Sequence, residues 1–380
     1  MFKSVKWMIS CITVAVGITA IANAQDTGPI VIGHYASMTG SEATFGVSTD
    51  NGIKLAVEEI NAAGGIKGRQ LKLITYDNQG KAQEAATVVT RLITQDKVVA
   101  ILGEVASSRS IAGGQIAQRY SVPMITPSST NPAVTEIGEF ISRICYTDDL
   151  QGKAAARFAF EHLKVKNAAV LFNRQQAYSK GLSDEFKKAF TKMGGKVTAE
   201  QSYGDGDSDW SAQIGAIRNS KPDAIFIPGY YNDAANIAIQ MRKAGVTAAL
   251  IGGDGWDSVE LGKIGGAAVE GAYFCNHYAP DQNSPEVTEF VKKYKAKHGE
   301  VPDALAALGY DVAKLLADAI GRSKSLGGKD LAASINTTKD FKGVTGSITI
   351  DEERNAVKPL VMVQVKGGMP AFVTMIDASK

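Results

Sequence analysis

The sequence lacks the short motifs that accompany the common hydrolytic, metal-dependent and nucleotide-dependent activities. It contains no G-x-S-x-G, H-E-x-x-H or C-x-x-C pattern and no phosphate-binding P-loop. Histidine is scarce, and the spacing of the four is not that of metal ligands: His34, His162, His277 and His298. We therefore predict a protein that is not an enzyme, with no catalytic residues, no metal site and no cofactor.

Three aspartates at alternate positions, Asp205, Asp207 and Asp209, resemble the opening of a calcium-binding EF-hand loop. The sixth position of that loop would be Trp210 instead of glycine, and the twelfth would be Ala216 instead of glutamate. We predict that these residues form a turn in which Asp207 or Asp209 caps the helix that starts near Trp210.

The sequence also lacks an excess of charge of either sign. The 41 lysines and arginines nearly balance the 39 aspartates and glutamates. Because no excess of positive charge is available to attract phosphates, we predict neither a nucleic-acid partner nor binding to an anionic membrane surface.

Cysteine occurs only three times in 380 residues. Cys11 belongs to the N-terminal apolar stretch, which leaves Cys145 and Cys275 for the rest of the chain. In an exported protein this pair could form one disulfide, or the two could stay apart as small buried thiols. The sequence leaves both alternatives open.

After residue 24 no apolar run is long enough to span a bilayer. Before it, Lys3 and Lys6 precede an uncharged, largely apolar stretch from 7 to 21, and residues 22–24 (Ala-Asn-Ala) resemble a signal-peptidase site. We predict a signal peptide at 1–24, a mature chain that begins at Gln25, and export to the periplasm.

The rest of the sequence alternates between short apolar runs and amphipathic stretches. The runs have the length of strands and lie at 30–33, 71–76, 98–102, 123–126, 168–172, 196–201, 224–228 and 249–253. Apolar residues at helical spacing, such as Ile53, Ala56, Val57 and Ile60, predict helices between them. This alternation is typical of parallel sheets covered by helices on both faces.

The number of strands favours two lobes over a single sheet. The pattern restarts after Asp148, and two helices are predicted after Cys275, followed by strands near the C-terminus. We expect short segments, such as 144–147 and 274–277, to cross between the lobes and form a hinge.

Hydroxyl groups follow two strands of the first half. The strand at 98–102 leads into a loop that contains Ser107, and the strand that ends at Thr126 leads into a loop with Ser128 and Thr130. Ligands of open α/β sheets bind at the carboxyl ends of the strands, where hydroxyl and amide donors suit a carboxylate. The alternative is that these side chains only cap helices.

In the second half, aromatic residues and one carboxylate follow strands in the same way. Tyr178, Tyr230 and Asp254 come after the strands at 168–172, 224–228 and 249–253. An aspartate among aromatic rings could hold an ammonium group. The alternative is a capping aspartate among rings that only pack.

Three segments carry a resemblance to a known family. They are 64–71 (GGIKGRQL), 125–130 (ITPSST) and 148–152 (DDLQG). Together and in this order, the sequence resembles the leucine/isoleucine/valine-binding family of periplasmic binding proteins.

The resemblance implies a type I periplasmic binding protein, or Venus flytrap, with two doubly wound parallel-sheet lobes joined by three crossover strands. The first lobe would comprise 25–147 and 277–347, the second 148–276 and 348–380, and the ligand would bind in the cleft between them. The implied ligand is a branched-chain or other apolar L-amino acid. The implied partner is an inner-membrane ABC permease. A monomeric binding protein would close about its hinge and then deliver the ligand to this permease.

The resemblance also assigns roles to residues. Ser107, Ser128 and Thr130 match first-lobe residues that hold the α-carboxylate and ammonium, and Phe45 matches an aromatic that contacts the ligand side chain. Tyr178 and Tyr230 match residues that close over the ligand, and Asp254 matches the acidic residue that pairs with the ammonium.

Two departures weaken the assignment of the ligand. The best-known members carry glutamate where Asp254 stands, and they have a first-lobe disulfide that is absent here, where Asn78, Gln79 and Ala106 occupy those regions. The alternatives are a ligand sensor and a binder of a small amide, urea or aromatic acid.

Overall fold

A computed structural model of the chain describes residues 1–2 and 28–376. Its first sheet is fully parallel, and the strand order is β2-β1-β3-β4-β5. These strands are β1 (Ile30–Ala36), β2 (Leu71–Asp77), β3 (Ala100–Leu102), β4 (Met124–Thr126) and β5 (Ile141–Arg143), and the helices between them are α1 (Ala43–Ala62), α2 (Ala82–Thr94) and α3 (Ser107–Arg119). The direction of winding reverses between β1 and β3, which is where such sheets open a crevice for a ligand.

The second sheet repeats this order with its own strands. The chain continues through α4 (Asp148–Arg157), β6 (Asn167–Asn173), α5 (Ala177–Lys192), β7 (Lys196–Tyr203), α6 (Ser211–Asn219), β8 (Ala224–Ile227), α7 (Tyr231–Lys243), β9 (Ala249–Gly252), α8 (Val259–Gly265) and β10 (Tyr273–Asn276). The parallel strands are ordered β7-β6-β8-β9-β10, so the corresponding reversal falls between β6 and β8.

The last part of the chain contributes elements to both lobes. Three helices, α9 (Pro285–His298), α10 (Ala304–Arg322) and α11 (Gly328–Asn336), precede a small antiparallel sheet of β11 (Phe341–Gly343), β12 (Gly346–Ile350) and β13 (Ala356–Val357). The strands β14 (Leu360–Lys366) and β15 (Met369–Ile376) then extend the second sheet as an antiparallel edge beside β10.

Helix α10 is anchored to the first lobe through close contact with α1. Asp303 caps α10, because its carboxylate accepts a hydrogen bond of 2.9 Å from the Ala306 amide. Glycines lie where the two helices touch: a Cβ added at Gly52 would stand 2.0 Å from the Ala306 carbonyl oxygen, and one at Gly309 would stand 2.3 Å from that of Thr49. The helices can therefore approach backbone to backbone only because these positions carry no side chain.

The predicted strands and the alternation of strands and helices are present, with several corrections. Residues 274–276 were predicted to cross between lobes, but they lie in β10 and pair with β9 and β14, so only His277 of that segment leaves the second sheet. The three-residue β5 and the nine-residue α11 were not predicted. Short elements contain too few residues to show a period, and α11 begins at a Gly-Gly pair that usually indicates a turn.

Residues 3–24 of the predicted signal peptide and Gln25 lie outside the described residues, and the proposed lobe boundaries remain a prediction. Within 28–376, no helix has both the length and the apolar character that crossing a bilayer requires.

The two described cysteines are not bonded to each other. Cys145 and Cys275 are both buried free thiols. The Cys145 thiol donates a 3.4 Å hydrogen bond to the Ser129 carbonyl, and the Cys275 sulfur lies 3.5 Å from that of Met362. Of the two alternatives left open by the sequence, the structure has the separate thiols.

Both thiols should therefore be unreactive in the native protein and reactive once it unfolds. Burial raises the pKa of Cys145 to about 12 and raises that of Cys275 well above its ordinary value, so little thiolate is present at neutral pH. Alkylation followed by mass spectrometry, without any reductant, should label both cysteines in denaturant and neither in buffer. Protection of the pair in denaturant would mean that a disulfide exists.

Candidate ligand-binding site

A small cavity lies between the two large sheets, at the carboxyl ends of their strands. All seven residues predicted as ligand contacts line it: Phe45, Ser107, Ser128, Thr130, Tyr178, Tyr230 and Asp254. Val105, Gly255 and Leu305 complete the lining, and the space is about 260 Å³ including its opening. The repeated strand order explains this convergence. Phe45, Ser107, Tyr178 and Tyr230 follow the strands on either side of the reversals, β1, β3, β6 and β8, and the other three follow the adjacent strands β4 and β9.

The first-lobe side of the cavity is lined by hydroxyl groups. Ser107 opens α3, and its Oγ accepts a 3.2 Å hydrogen bond from the Asn131 amide. Ser128 is 4 % exposed, and its Oγ has no hydrogen-bond partner. Thr130 is also buried, and its hydroxyl lies beside the buried carboxyl of Asp148. Because leaving a buried hydroxyl unpaired is costly, Ser128 is a donor available to a bound ligand.

The second-lobe side carries a single carboxylate that is held by two neighbours. Gln151 donates from its side-chain amide to Asp254 Oδ1 at 2.9 Å, and its carbonyl oxygen accepts from the Asp254 amide at 2.8 Å. The Nε2 of His277 lies 3.0 Å from Asp254 Oδ2. Each oxygen of Asp254 keeps a lone pair, so the carboxylate can accept further hydrogen bonds from the cavity.

Aromatic rings from both lobes form the remaining wall. Tyr178 and Tyr230 are stacked with ring centroids 5.3 Å apart, and the edge of Phe45 meets Tyr230 at 5.4 Å. The Tyr178 hydroxyl accepts a 3.0 Å hydrogen bond from the Gly255 amide. Burial raises the pKa values of Tyr178 and Tyr230 well above 10, so both rings are neutral. With Val105 and Leu305, the rings make this wall suitable for an apolar group.

The cavity is enclosed by hydrogen bonds between the lobes. The Tyr231 hydroxyl donates to the Ser41 carbonyl at 2.9 Å, and the Asn131 side chain donates to the Ala177 carbonyl at 2.9 Å. The hydroxyls of Thr44 and Ser258 lie 3.0 Å apart. The structure is therefore that of a closed cleft.

Other residues considered from the sequence lie elsewhere. The His34 ring is fully buried with Nδ1 3.0 Å from the Leu102 carbonyl, so it packs in the first lobe. Asp209 accepts from the Ser211 amide at 2.9 Å and Asp207 from the Gly204 amide at 2.7 Å, so the predicted turn before α6 is present. The predicted cap was wrong, because Trp210 is the N-cap residue of α6 and its side chain makes no capping hydrogen bond. Among the described residues, no group of three or more acidic, histidine or cysteine side chains could hold a metal.

Sequence reasoning missed two residues that hold Asp254. Gln151 belongs to the segment 148–152, which carried the family resemblance, but nothing in its pattern indicated a partner. For His277, the only signal in the sequence was its position in a predicted crossover segment. Both contacts join residues more than twenty positions apart, and no local pattern reports such a contact.

Two lobes of the same winding that close on a small cavity define a ligand-binding protein of the Venus flytrap class. The chain belongs to the periplasmic binding protein family, whose family model matches residues 29–369. It is 32% identical to Leu/Ile/Val-binding protein homolog 2 of Brucella abortus over 94% of each chain.

Solved structures agree with this membership. A leucine-binding protein, LivK, of Thermotoga maritima is 42% identical, with a TM-score of 0.88 over 92% of this chain and 99% of that one. The substrate-binding protein LivJ of Streptococcus pneumoniae, solved with isoleucine, is 32% identical, with a TM-score of 0.87 over the same shares. The family recognised from the three sequence segments and the type I fold are thereby confirmed, and the protein is a periplasmic binding protein of the branched-chain amino acid transporter family.

Proposed function

We propose that this protein binds an apolar L-α-amino acid, with a branched-chain side chain, in the periplasm and delivers it to an inner-membrane ABC permease. The observation that carries the proposal is that the Asp254 carboxylate lies on one side of the cavity and the Ser128 and Thr130 hydroxyls lie on the other. An amino acid carries the complementary pair of charges on one carbon atom.

The charged end of the ligand would bridge the lobes. Its α-carboxylate would accept hydrogen bonds from Ser107, Ser128 and Thr130, since hydrogen bonds to an ionised acceptor are stronger than those between neutral groups. Its ammonium would donate to the free lone pairs of Asp254, beside the face of Tyr178. Because the two charges contact different lobes, the ligand stabilises the closed state more than the open one.

The side chain of the ligand would meet the apolar wall. Phe45, Val105, Tyr230 and Leu305 line this part of the cavity, and none of them offers a charge to a polar side chain. This wall therefore favours a ligand with an apolar side chain over one with a charged side chain.

The proposal can be tested with a panel of ligands and truncated analogues. Protein stripped of ligand by unfolding and refolding would be titrated calorimetrically with leucine, isoleucine, valine, 4-methylpentanoate, 3-methylbutylamine, leucinamide and benzoate. We expect the branched-chain amino acids to bind most tightly, and the analogues that lack either charge to bind at least ~100-fold more weakly. Equal or tighter binding of benzoate or 4-methylpentanoate would instead favour a binder of carboxylic acids.

Transport and sensing need a separate experiment. Deletion of the gene from its source bacterium should reduce uptake of the radiolabelled ligand, and the wild-type gene should restore it. Unchanged uptake with an altered transcriptional response to the ligand would favour the sensor alternative.

Ser128→Ala should weaken amino-acid binding without changing stability. The Ser128 hydroxyl has no partner within the protein, so its removal breaks only a hydrogen bond to the ligand carboxylate, at a cost of about 1–2 kcal/mol. The neighbouring Ser129→Ala is a matched control, because the Ser129 hydroxyl contacts Ser110 at 2.6 Å and the Val105 carbonyl at 2.8 Å. Calorimetry and thermal unfolding of both variants should show the opposite pattern for Ser129→Ala, a loss mainly of stability.

A further inference from the structure

Asp254 is held by a residue that lies outside the cavity. His277 follows β10 where the chain leaves the second sheet, and it is 2 % exposed. Its Nε2 lies 3.0 Å from Asp254 Oδ2, on the oxygen that Gln151 does not contact. The carboxylate is therefore fixed from both sides, by Gln151 from α4 and by a histidine at the hinge.

The His277 ring is itself held in one orientation. Tyr146, on the segment that crosses from the first lobe, stacks on it with ring centroids 3.9 Å apart and an interplanar angle of 21°. The Nδ1 atom of His277 is buried and has no hydrogen-bond partner. An N–H at Nδ1 would be left unpaired, so the proton of the neutral ring belongs on Nε2, where Asp254 accepts it.

We propose that His277 is a positioning residue for the ligand ammonium, which orients the Asp254 carboxylate by donating from a neutral imidazole and leaves its negative charge for the ligand. This inference rests on the proposed function, because it requires a ligand with an ammonium group. It also connects the binding site to the hinge, since His277 and Tyr146 lie on two of the connections between the lobes.

The groups around His277 keep it neutral. Burial is the main cause that lowers its pKa below the ordinary value of 6.5, and the nearby Lys358 adds to this effect, while Asp254 opposes it. Asp148 and Tyr178 also face Asp254, and burial raises the pKa of each. The Tyr178 phenol therefore adds no negative charge at neutral pH. Ligand ammonium would disfavour a cationic His277 further, because both cations would compete for the same carboxylate.

Acid should therefore weaken ligand binding through His277. Below the lowered pKa, an imidazolium would pair with Asp254 in the free protein and would have to lose its proton when ligand binds. Affinity should be constant around neutral pH, where His277 is uncharged, and should fall as the pH drops through its lowered pKa. A glutamine at this position keeps a side-chain donor but cannot titrate.

The test is a double-mutant cycle, together with measurements of ligand affinity over a range of pH. Wild type, His277→Phe, Asp254→Asn and the double variant would be titrated at neutral pH with whichever of leucine, isoleucine and valine binds wild type most tightly. Phenylalanine keeps a ring against Tyr146, so we expect His277→Phe alone to weaken binding about tenfold or more, the effect of one hydrogen bond to a charged group. In the Asp254→Asn background the same change should alter affinity less than about twofold.

His277→Gln should retain affinity within about threefold at neutral pH and should lose most of the acid-dependent decline seen in wild type. Additive effects in the cycle, or a pH profile of His277→Gln identical to that of wild type, would overturn the inference. If His277→Phe does not fold, the comparison of wild type with His277→Gln decides, and a wild-type affinity that does not change on acidification also overturns it. If Asp254→Asn binds as tightly as wild type, the proposed function fails instead.

Discussion

Asp254→Asn is expected to weaken amino-acid binding by at least ~100-fold. The carboxylate lies in a closed cavity with 8 % of the residue exposed, so a ligand ammonium there would pair with it away from water. Removing one partner of a buried ion pair leaves the other charge desolvated, at a cost of ~3–5 kcal/mol, and each ~1.4 kcal/mol is tenfold in affinity. Calorimetric titration with the ligand panel measures the effect directly.

The same variant should fold normally. Asparagine has the shape of aspartate, and its side-chain oxygen can still accept a hydrogen bond from the Gln151 amide. Asp50→Asn is a matched control, since Asp50 is also buried but binds Thr75 and Lys54 within the first lobe. That control should leave affinity unchanged. If Asp254→Asn bound as tightly as wild type, the ligand would carry no ammonium there, and the amide and aromatic-acid alternatives would gain.

Gly52→Ala is expected to destabilise the first lobe by about 2 kcal/mol or more, because overpacking a tight contact commonly costs ~1–3 kcal/mol. The new methyl group would lie 2.0 Å from the Ala306 carbonyl and 2.9 Å from the Tyr310 amide nitrogen. Both contacts are to backbone, so no side chain can turn aside, and α10 would have to move away from α1. Urea unfolding followed by circular dichroism should show a lower midpoint.

Gly321→Ala is the matched control on the same helix pair. It also replaces a helical glycine, but an added Cβ at Gly321 meets no atom within 4 Å. Alanine is favoured over glycine inside helices by ~1 kcal/mol, so this variant should be slightly more stable than wild type. Equal effects of the two substitutions would mean that helix propensity, and not the contact between α1 and α10, decides stability at these positions.

Much of the fold was readable from local pattern. Apolar runs such as 224–228 and 249–253 became β8 and β9, and the two helices predicted after Cys275 are present as α9 and α10. A strand buried on both faces must be apolar, and a helix must present an apolar stripe, so these periods are visible in sequence. The crossover predicted at 274–277 was wrong for three of its four residues because a crossover and a buried strand are equally apolar and extended.

The candidate site was predicted in two ways. Strand ends alone grouped Ser107 with Ser128 and Thr130, because neighbouring parallel strands end at one edge of a sheet. Strand ends did not reveal that Asp254 faces these hydroxyls, since that depends on how two separate sheets are placed against each other. The resemblance to a family supplied that expectation, and the cavity lined by all seven residues agrees with it.

By itself, the sequence determined the class of fold, the absence of common catalytic motifs and the positions where polar groups end strands, because each of these depends on residues close together in the chain. Only the tertiary structure decided that Cys145 and Cys275 stay apart, that α1 and α10 touch at glycines, and that His277 and Gln151 hold Asp254. These contacts join residues far apart in the chain, and their geometry depends on how whole helices and strands pack together. Side-chain type and local spacing therefore do not predict them.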